Sequence, residues 1–496
     1  MAYASLKEFV ERLDREGELM RVPFEVDPVL EITGFADRQM KSPGGGKALL
    51  FEKPKVAQAS SLRSGADRKL ETCATFPLLI NAFGSEKRMS LVLGRTVAEC
   101  AAELESLLKA KPPTSFGEAI RLLGTALELR HAKPKSVGSG PCKDVVLKEG
   151  DVDLDRLPIQ KCWPQDAGRF ITLPMVFTQD PDTGARNVGM YRMQVIDRAT
   201  TFMHWQVHKV AARHGRRYFD TGQRMPVAVC LGGDPVYAFC ATAPLPDGVD
   251  EMMLAGNLRQ QSVEMVKCET VPLEVPADCD FVLEGYVDPK EPLGMEGPFG
   301  DHTGYYTLPE PYPKFHVTAI THRHDAIYPS TIVGRPPMED FYLGDASVRL
   351  FLPVMKMNFP ELVDIYLPPE GVFHNLVIVS FKKSFPYHAM KLMHGLWGMG
   401  QMMFTKCFVM VDADVNVRDM SEVAFRACAN VDPARDILLT KGPADVLDHA
   451  TPAPGLGSKM GIDATHKLLG ERDTRPWPPI ITMGDSQQLL QHLQKL

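Results

Sequence analysis

Between about Thr114 and His322 the chain breaks into short β-rich runs separated by Pro, Gly and Asp, and this texture constrains the fold more than any other feature. Ile171–Thr178, Met193–Ile196, Val227–Leu231 and Phe281–Val287 are short for helices and rich in apolar residues that favour strands. That spacing predicts a barrel or sandwich. On either side the texture is α/β. Upstream, Leu6, Phe9, Val10 and Leu13 recur at helical spacing, and the turn Pro43–Gly46 leads into the strand-like run Ala48–Phe51. Downstream, Leu376–Phe381 and Phe408–Val411 read as strands, with His388–Met402 as the buried crossover helix between them. The chain is too long for one compact core, and its texture divides it at 1–113, 114–322 and 323–496. The expected class is a mixed α+β and α/β multidomain protein. Gln58–Thr72, polar and without periodicity, reads as a surface excursion, and Asp485–Leu496 as a terminal helix able to dock on a neighbouring subunit.

Composition narrows the function by exclusion. Apolar residues make up 44% and charged residues 24%, which fits neither a disordered nor a fibrous chain. A net charge of −7 opposes broad binding to nucleic acid or to a membrane surface, so a small molecule is the expected partner. The ten cysteines are scattered without a C-x-x-C pair, and we read them as reduced thiols. The N-terminus is a charged amphipathic pattern, not a signal sequence, and no apolar run reaches the ~18–20 residues of a membrane span. A cytoplasmic location follows, peripheral to a membrane only if the substrate is itself apolar.

Three clusters could carry chemistry. The first runs from Asn187 to Lys209 and holds an amide, Arg192 and two histidines. On a continuous strand Asn187 and Arg192 point to opposite faces, and a surface strand Arg is the plainer reading. His204 and His208 form H-x-x-x-H, but Trp205 stands where a zincin carries Glu, and the neighbours favour a strand, on which both rings share a face. In the second cluster, Asp250 and Glu251 open an apolar helical pattern, where capping and the helix dipole explain acids adequately. As a ligand, Glu251 would offer hard oxygen to Mg²⁺ or Mn²⁺, joined by Asn187 and one imidazole. The third cluster separates Glu296 from Asp301 by the turn Gly297–Gly300. Paired acids beside a cation can be held at different pKa values, and the bland alternative is a solvated turn.

Taken in order, these clusters resemble the signature regions of the UbiD-like carboxy-lyases. The resemblance extends to Ala48–Pro54, Phe359–Gly371, Val431–Asp436 and Gly455–Lys467, hence to nearly the whole chain, and is strongest to the 4-hydroxy-3-polyprenylbenzoate decarboxylases. It implies an N-terminal α/β segment, a central split β-barrel of flavin-reductase type carrying the cofactor, and a C-terminal α/β domain for oligomerisation. It further implies prenylated FMN, with its phosphate held by Mn²⁺ or Mg²⁺ on Asn187, His208 and Glu251. Met190, Tyr191, Arg192, His204, Trp205, Gln206, Lys209 and Val210 would line that cofactor, and K⁺ would sit against backbone oxygens around Ala241 and Ala243. Arg192, Glu296 and Asp301 would be catalytic, with Asp301 the proton donor and Glu296 tied to Arg192.

The implied reaction is non-oxidative, reversible removal of CO₂ from an aromatic or other unsaturated acid through a covalent adduct with the cofactor. A flavin prenyltransferase would supply the cofactor, and a homodimer or homohexamer would suit the family. This sequence departs from the family pattern in carrying Asp301 where the motif often ends in Glu, and His204 and Lys209 where relatives often carry Arg. Smaller phenolic acids such as vanillate or protocatechuate are the second substrate class. A zinc hydrolase on His204 and His208 and a non-catalytic assembly subunit are the readings from other classes.

Overall fold

The computed structural model describes residues 2–57, 70–73, 76–110, 133–205, 209–245, 249–372, 374–471 and 475–481. Its centre is a seven-stranded sheet. In order, Thr200–Phe202, Lys314–His322, Phe281–Val287, Met225–Leu231, Met175–Gln179 and Arg186–Met190 pair antiparallel, and Val145–Lys148 adds to Lys314–His322. Among the described residues these pairings trace an open path without closing into a ring.

Both faces of this sheet are covered, which explains why its strands read as unbroken apolar runs. Alternate residues of one strand feed two cores, as the twofold repeat of a strand demands. Ala228 and Cys230 join one core, while Val227, Val229 and Leu231 join the other. Helices Leu6–Arg15, Val236–Thr242, Glu251–Arg259 and Glu339–Asn358 close the first face. The expected face of the first helix, Leu6, Phe9, Val10 and Leu13, is indeed buried there. The second face packs on the N-terminal sheet, through Val22, Leu49, Phe51, Leu78 and Ile80.

Chain order and sheet membership part company at one point. Tyr328–Ser330, beyond the central strands, returns to the N-terminal sheet and pairs parallel with Leu78–Ile80. The long helix Glu339–Asn358 then leads to the C-terminal sheet, placing Leu343, Ala346 and Leu350 in the first core and Val348, Leu352 and Met355 against the C-terminal one.

The C-terminal sheet has five strands in the order Leu362–Tyr366, Leu376–Phe381, Cys407–Asp412, Leu456–Asp463, Ile437–Pro443. The middle three are parallel, and the crossover between the first two of these is the buried helix His388–Trp397. That helix stops five residues before the expected Met402, and a separate 3₁₀ turn spans Gly400–Phe404.

Other expectations shift at their edges. Met193–Ile196 forms a strand only at Met193–Gln194, and Ile171–Thr178 splits into Phe170–Ile171 and Met175–Gln179. Of the supposed surface excursion, residues 58–69 lie outside the described residues, whereas Leu70–Cys73 is a strand paired with Ala48–Ala57. The terminal helix expected at Asp485–Leu496 also lies outside them. No described helix is long and apolar enough to cross a membrane.

Candidate active site

Arg192 is the hub of the site. The strand Arg186–Met190 ends two residues before it, so the alternation that would have pointed it away from Asn187 no longer applies. Instead of lying on the surface, its side chain is 10% exposed and grips both acids of the third cluster. Its Nε donates to Glu296 Oε1 at 2.9 Å and Nη2 to Glu296 Oε2 at 3.2 Å, while Nη1 donates to Asp301 Oδ2. The guanidinium stacks over the Phe299 ring, 4.6 Å from its centroid. An apolar floor and two carboxylates thus fix its plane.

The Glu296–Asp301 segment is a built turn, not a solvated one. Glu296 ends a short strand paired with Glu310–Tyr312, and Phe299–Gly300 pairs with Tyr306–Thr307. Asp166 braces it by accepting from Gly300 N at 2.8 Å and from Trp163 N at 2.7 Å. A Cβ on Gly300 would meet Trp163 Cδ1 at 2.3 Å, so only glycine allows the indole this close.

Each acid has an imidazole of its own. His204 Nδ1 lies 2.8 Å from Glu296 Oε2, and its ring packs on Tyr312 with centroids 4.2 Å apart. His302 Nδ1 lies 2.8 Å from Asp301 Oδ1. Burial pushes both carboxyl groups up, but His204 and Arg192 outweigh it at Glu296, and Arg192 and His302 at Asp301, so both are held below the usual range. At rest Asp301 is therefore a carboxylate.

A second buried acid behaves in the opposite way. Glu251 opens its helix behind the N-cap Asp250, as capping explains, yet it is itself 8% exposed. Its Oε2 accepts from Val188 N at 2.9 Å, next in sequence to the buried Asn187. Burial pushes the carboxyl up to about 8, with backbone donors and Arg186 offsetting only part of it. The amide nitrogen of Asn187 has no hydrogen-bond partner among the described residues. A buried acid short of positive charge beside an underused amide fits a hard cation. Among the described residues no three His, Cys, Asp or Glu side chains converge on a metal geometry, and His208 lies outside them, as does Gln206.

The remaining residues of the first cluster lie on the stretch of chain that follows Asn187. Met190 ends the strand Arg186–Met190, and Tyr191 and Trp205 are each 7% exposed. His204 is not on a strand, because Thr200–Phe202 ends before it, so the shared strand face expected for H-x-x-x-H is absent at that residue. Lys209 caps the helix Val210–Asp220, and burial draws its ammonium down, opposed only in part by Asp445. A desolvated cation at a helix N-terminus suits a phosphate. Ala241 is buried in Val236–Thr242, and Ala243 follows it. Spacing did not single out His302, His374, Tyr312 or Asp340 around the acids. The signal was partly present, since His302 directly follows Asp301, but His374 is 72 residues further along the chain.

The chain is similar to known proteins along most of its length. Residues 10–108, 134–336 and 341–464 match the N-terminal, Rift-related and C-terminal domains of 3-octaprenyl-4-hydroxybenzoate carboxy-lyase. An uncharacterized protein of Archaeoglobus fulgidus is 50% identical over 97% of this chain and 96% of its own length. Among solved structures, the vanillic acid decarboxylase of Sedimentibacter hydroxybenzoicus in its closed form is 26% identical, with a TM-score of 0.82 over 100% of this chain and 99% of that one. The UbiD-class enzyme HmfF of Pelotomaculum thermopropionicum, in complex with FMN, is 26% identical with a TM-score of 0.78, over 99% and 100% of the two chains. An evolved dimeric form of HmfF, in complex with prFMN, is 27% identical over 96% and 97%, with a TM-score of 0.76. With all three domain signatures matched in order, the chain belongs to the UbiD family of carboxy-lyases.

Proposed function

We propose that the protein removes CO₂ without oxidation from a 4-hydroxybenzoate-type aromatic acid, with 4-hydroxy-3-polyprenylbenzoate in ubiquinone synthesis as the leading substrate. The observation that carries this reading is the buried guanidinium shared between two acids over an aromatic floor. The exposed apolar side chains Leu293, Met295 and Leu308, around the strand that ends in Glu296, suit an apolar tail on the substrate. Smaller phenolic acids are the second reading, favoured by the likeness to vanillic acid decarboxylase.

Prenylated FMN would rest among Met190, Tyr191, His204, Trp205, Gln206, Lys209 and Val210, with its phosphate held through Mn²⁺ or Mg²⁺ on Asn187, His208 and Glu251 and with K⁺ near Ala241 and Ala243. When bound, it supplies the electron sink that an sp² carbon needs to lose CO₂. The chain's own residues do the rest. Arg192 orients the substrate carboxylate, and Glu296, kept ionised by His204 and Arg192, holds the guanidinium in plane. An arriving carboxylate competes with Asp301 for Arg192 and places negative charge beside it, raising its proton affinity. Asp301 then delivers a proton to the carbon that carried the carboxyl group. The protein would work in the cytoplasm as a homodimer or homohexamer, meeting a membrane only through a polyprenylated substrate.

Co-expression with a flavin prenyltransferase, mass spectrometry of the bound chromophore and a screen of aromatic acids for CO₂ release test the reading. Absence of the modified flavin from the matured protein would overturn it. Asp301→Asn should lose turnover while flavin and metal stay bound.

A further inference from the structure

Loss of CO₂ from a carboxylate consumes one proton per turnover, and an ionised Asp301 has none to give until it is supplied. The surroundings of its two oxygens restrict the supplier. Oδ2 is on Arg192, and a guanidinium does not give up its proton in a protein. Oδ1 is on His302, through the ring Nδ1 at 2.8 Å and the backbone N–H at 2.7 Å.

The far nitrogen of that ring, His302 Nε2, lies 2.9 Å from His374 Nε2, in the loop leading to the strand Leu376–Phe381. Two imidazole nitrogens this close need a single proton between them, because two would clash and none would leave lone pairs facing. Asp301, His302 and His374 therefore form a continuous hydrogen-bonded row from the site into the C-terminal domain. Charges along the row favour inward movement. Asp301 and Asp340, the latter on the helix Glu339–Asn358, face His302, and Asp445 adds a weaker attraction. Asp445 and Asp448, between Ile437–Pro443 and Leu456–Asp463, draw positive charge toward His374. Burial and the neighbouring His302 keep His374 neutral, so the resting proton sits on His302, where Asp301 can take it.

We propose that His302 and His374 are a two-imidazole relay that reloads Asp301 with one proton per turnover from the C-terminal side. The Nδ1–H of the charged His302 passes to Asp301 Oδ1, and Asp301 spends it on the product carbon as CO₂ leaves. His302, left neutral, turns its bare nitrogen toward His374, which has taken a proton from water and passes it on, and the ring turns back with both nitrogens protonated. One proton enters and one leaves on the product, and no electron is exchanged. The relay rests on the donor role proposed for Asp301.

His374→Gln and His302→Asn, each matured with cofactor, would be compared with the natural enzyme and Asp301→Asn, on the acid giving fastest CO₂ release. With enzyme in excess, His374→Gln should complete its first turnover within about twofold of the natural rate, since Asp301 loads from His302. In steady state its kcat should fall by about tenfold or more and recover as imidazole is added. In cofactor-free protein labelled with ¹⁵N-histidine, the His302 signal, identified by its loss in His302→Asn, should titrate later than an ordinary histidine. An unchanged steady-state rate in His374→Gln, or equal losses in both regimes without rescue, overturns the relay. If that variant does not fold, a His302→Asn enzyme that retains flavin and turns over at the natural rate overturns it equally. Normal turnover by Asp301→Asn would instead remove the donor reading beneath it.

Discussion

Two buried acid regions on neighbouring elements reach opposite electrostatic ends. Glu296 and Asp301 are nearly inaccessible, yet both stay ionised, because Arg192 and one imidazole each repay the desolvation. Glu251 is also buried, but among the described residues its partners are chiefly backbone donors, and its carboxyl is pushed up to about 8. Burial alone therefore does not set the charge of an acid; the count of cations within reach does. One region carries its own cations among the described residues, and the other is the one to which the proposed metal would bring positive charge.

The largest way to break this contrast is to remove the guanidinium from the region that carries its own cations. Arg192→Ala leaves two adjacent carboxyl groups without their guanidinium, so kcat should fall by about 100- to 1,000-fold. Breaking a buried pair should also cost roughly 3–5 kcal/mol of stability, readable by urea unfolding. A variant with normal unfolding and normal turnover would erase the distinction. The Glu251 region should respond in a different currency. Glu251→Gln, or chelation of the natural protein, should lower metal content and flavin retention, with affinity falling by at least about tenfold. The Arg192–Glu296 contact does not involve Glu251, so the unfolding midpoint should move far less than in Arg192→Ala. Metal analysis and flavin absorbance on the same samples separate the two regions.

The sequence showed these regions unequally, for reasons visible in the fold. Phe281–Val287 and Leu376–Phe381 were legible as strands because unbroken apolar runs need both faces covered, and here they are. The pairing of Tyr328–Ser330 with Leu78–Ile80 was not legible, since three residues carry no periodicity and their partner is some 250 positions earlier. Arg192 was read as a surface residue because alternation assumes a continuous strand, and the strand ends at Met190. The family resemblance, not spacing, pointed to its pairing with Glu296. His374 escaped altogether, as a single histidine in a loop has no local pattern to betray a contact 72 residues away.

Acid titration sharpens the comparison with a smaller effect. Glu296 and Asp301 have folded-state pKa values below their unfolded ones, so their contribution is present above the unfolded range near ~4 and is lost as pH falls through the folded values. The protein should lose stability below about pH 4, and Asp301→Asn should flatten part of that limb while leaving the neutral plateau higher or lower by a constant amount. Stability followed by chemical unfolding between pH 3 and 6 measures this. A limb equally steep in Asp301→Asn would mean that other carboxyl groups carry it.

The mildest test touches a partner that Glu296 does not share with Asp301 and leaves Arg192 in place. His204 holds Glu296 Oε2 and packs at a tilt on the Tyr312 ring, so its replacement by Phe keeps the packing and deletes the donor. A hydrogen bond to a charged group is worth about 1.5–3 kcal/mol, part of which the two remaining bonds from Arg192 retain, and kcat/KM should fall by about tenfold. His204→Gln, which restores an N–H donor, should recover most of it. If His204→Phe were instead as damaging as Arg192→Ala, with flavin lost as well, the imidazole would serve the cofactor more than the acid. Recovery by Gln with flavin retained in both variants places its main effect on Glu296, and makes the orientation of the guanidinium, not its charge alone, the property that the paired region protects.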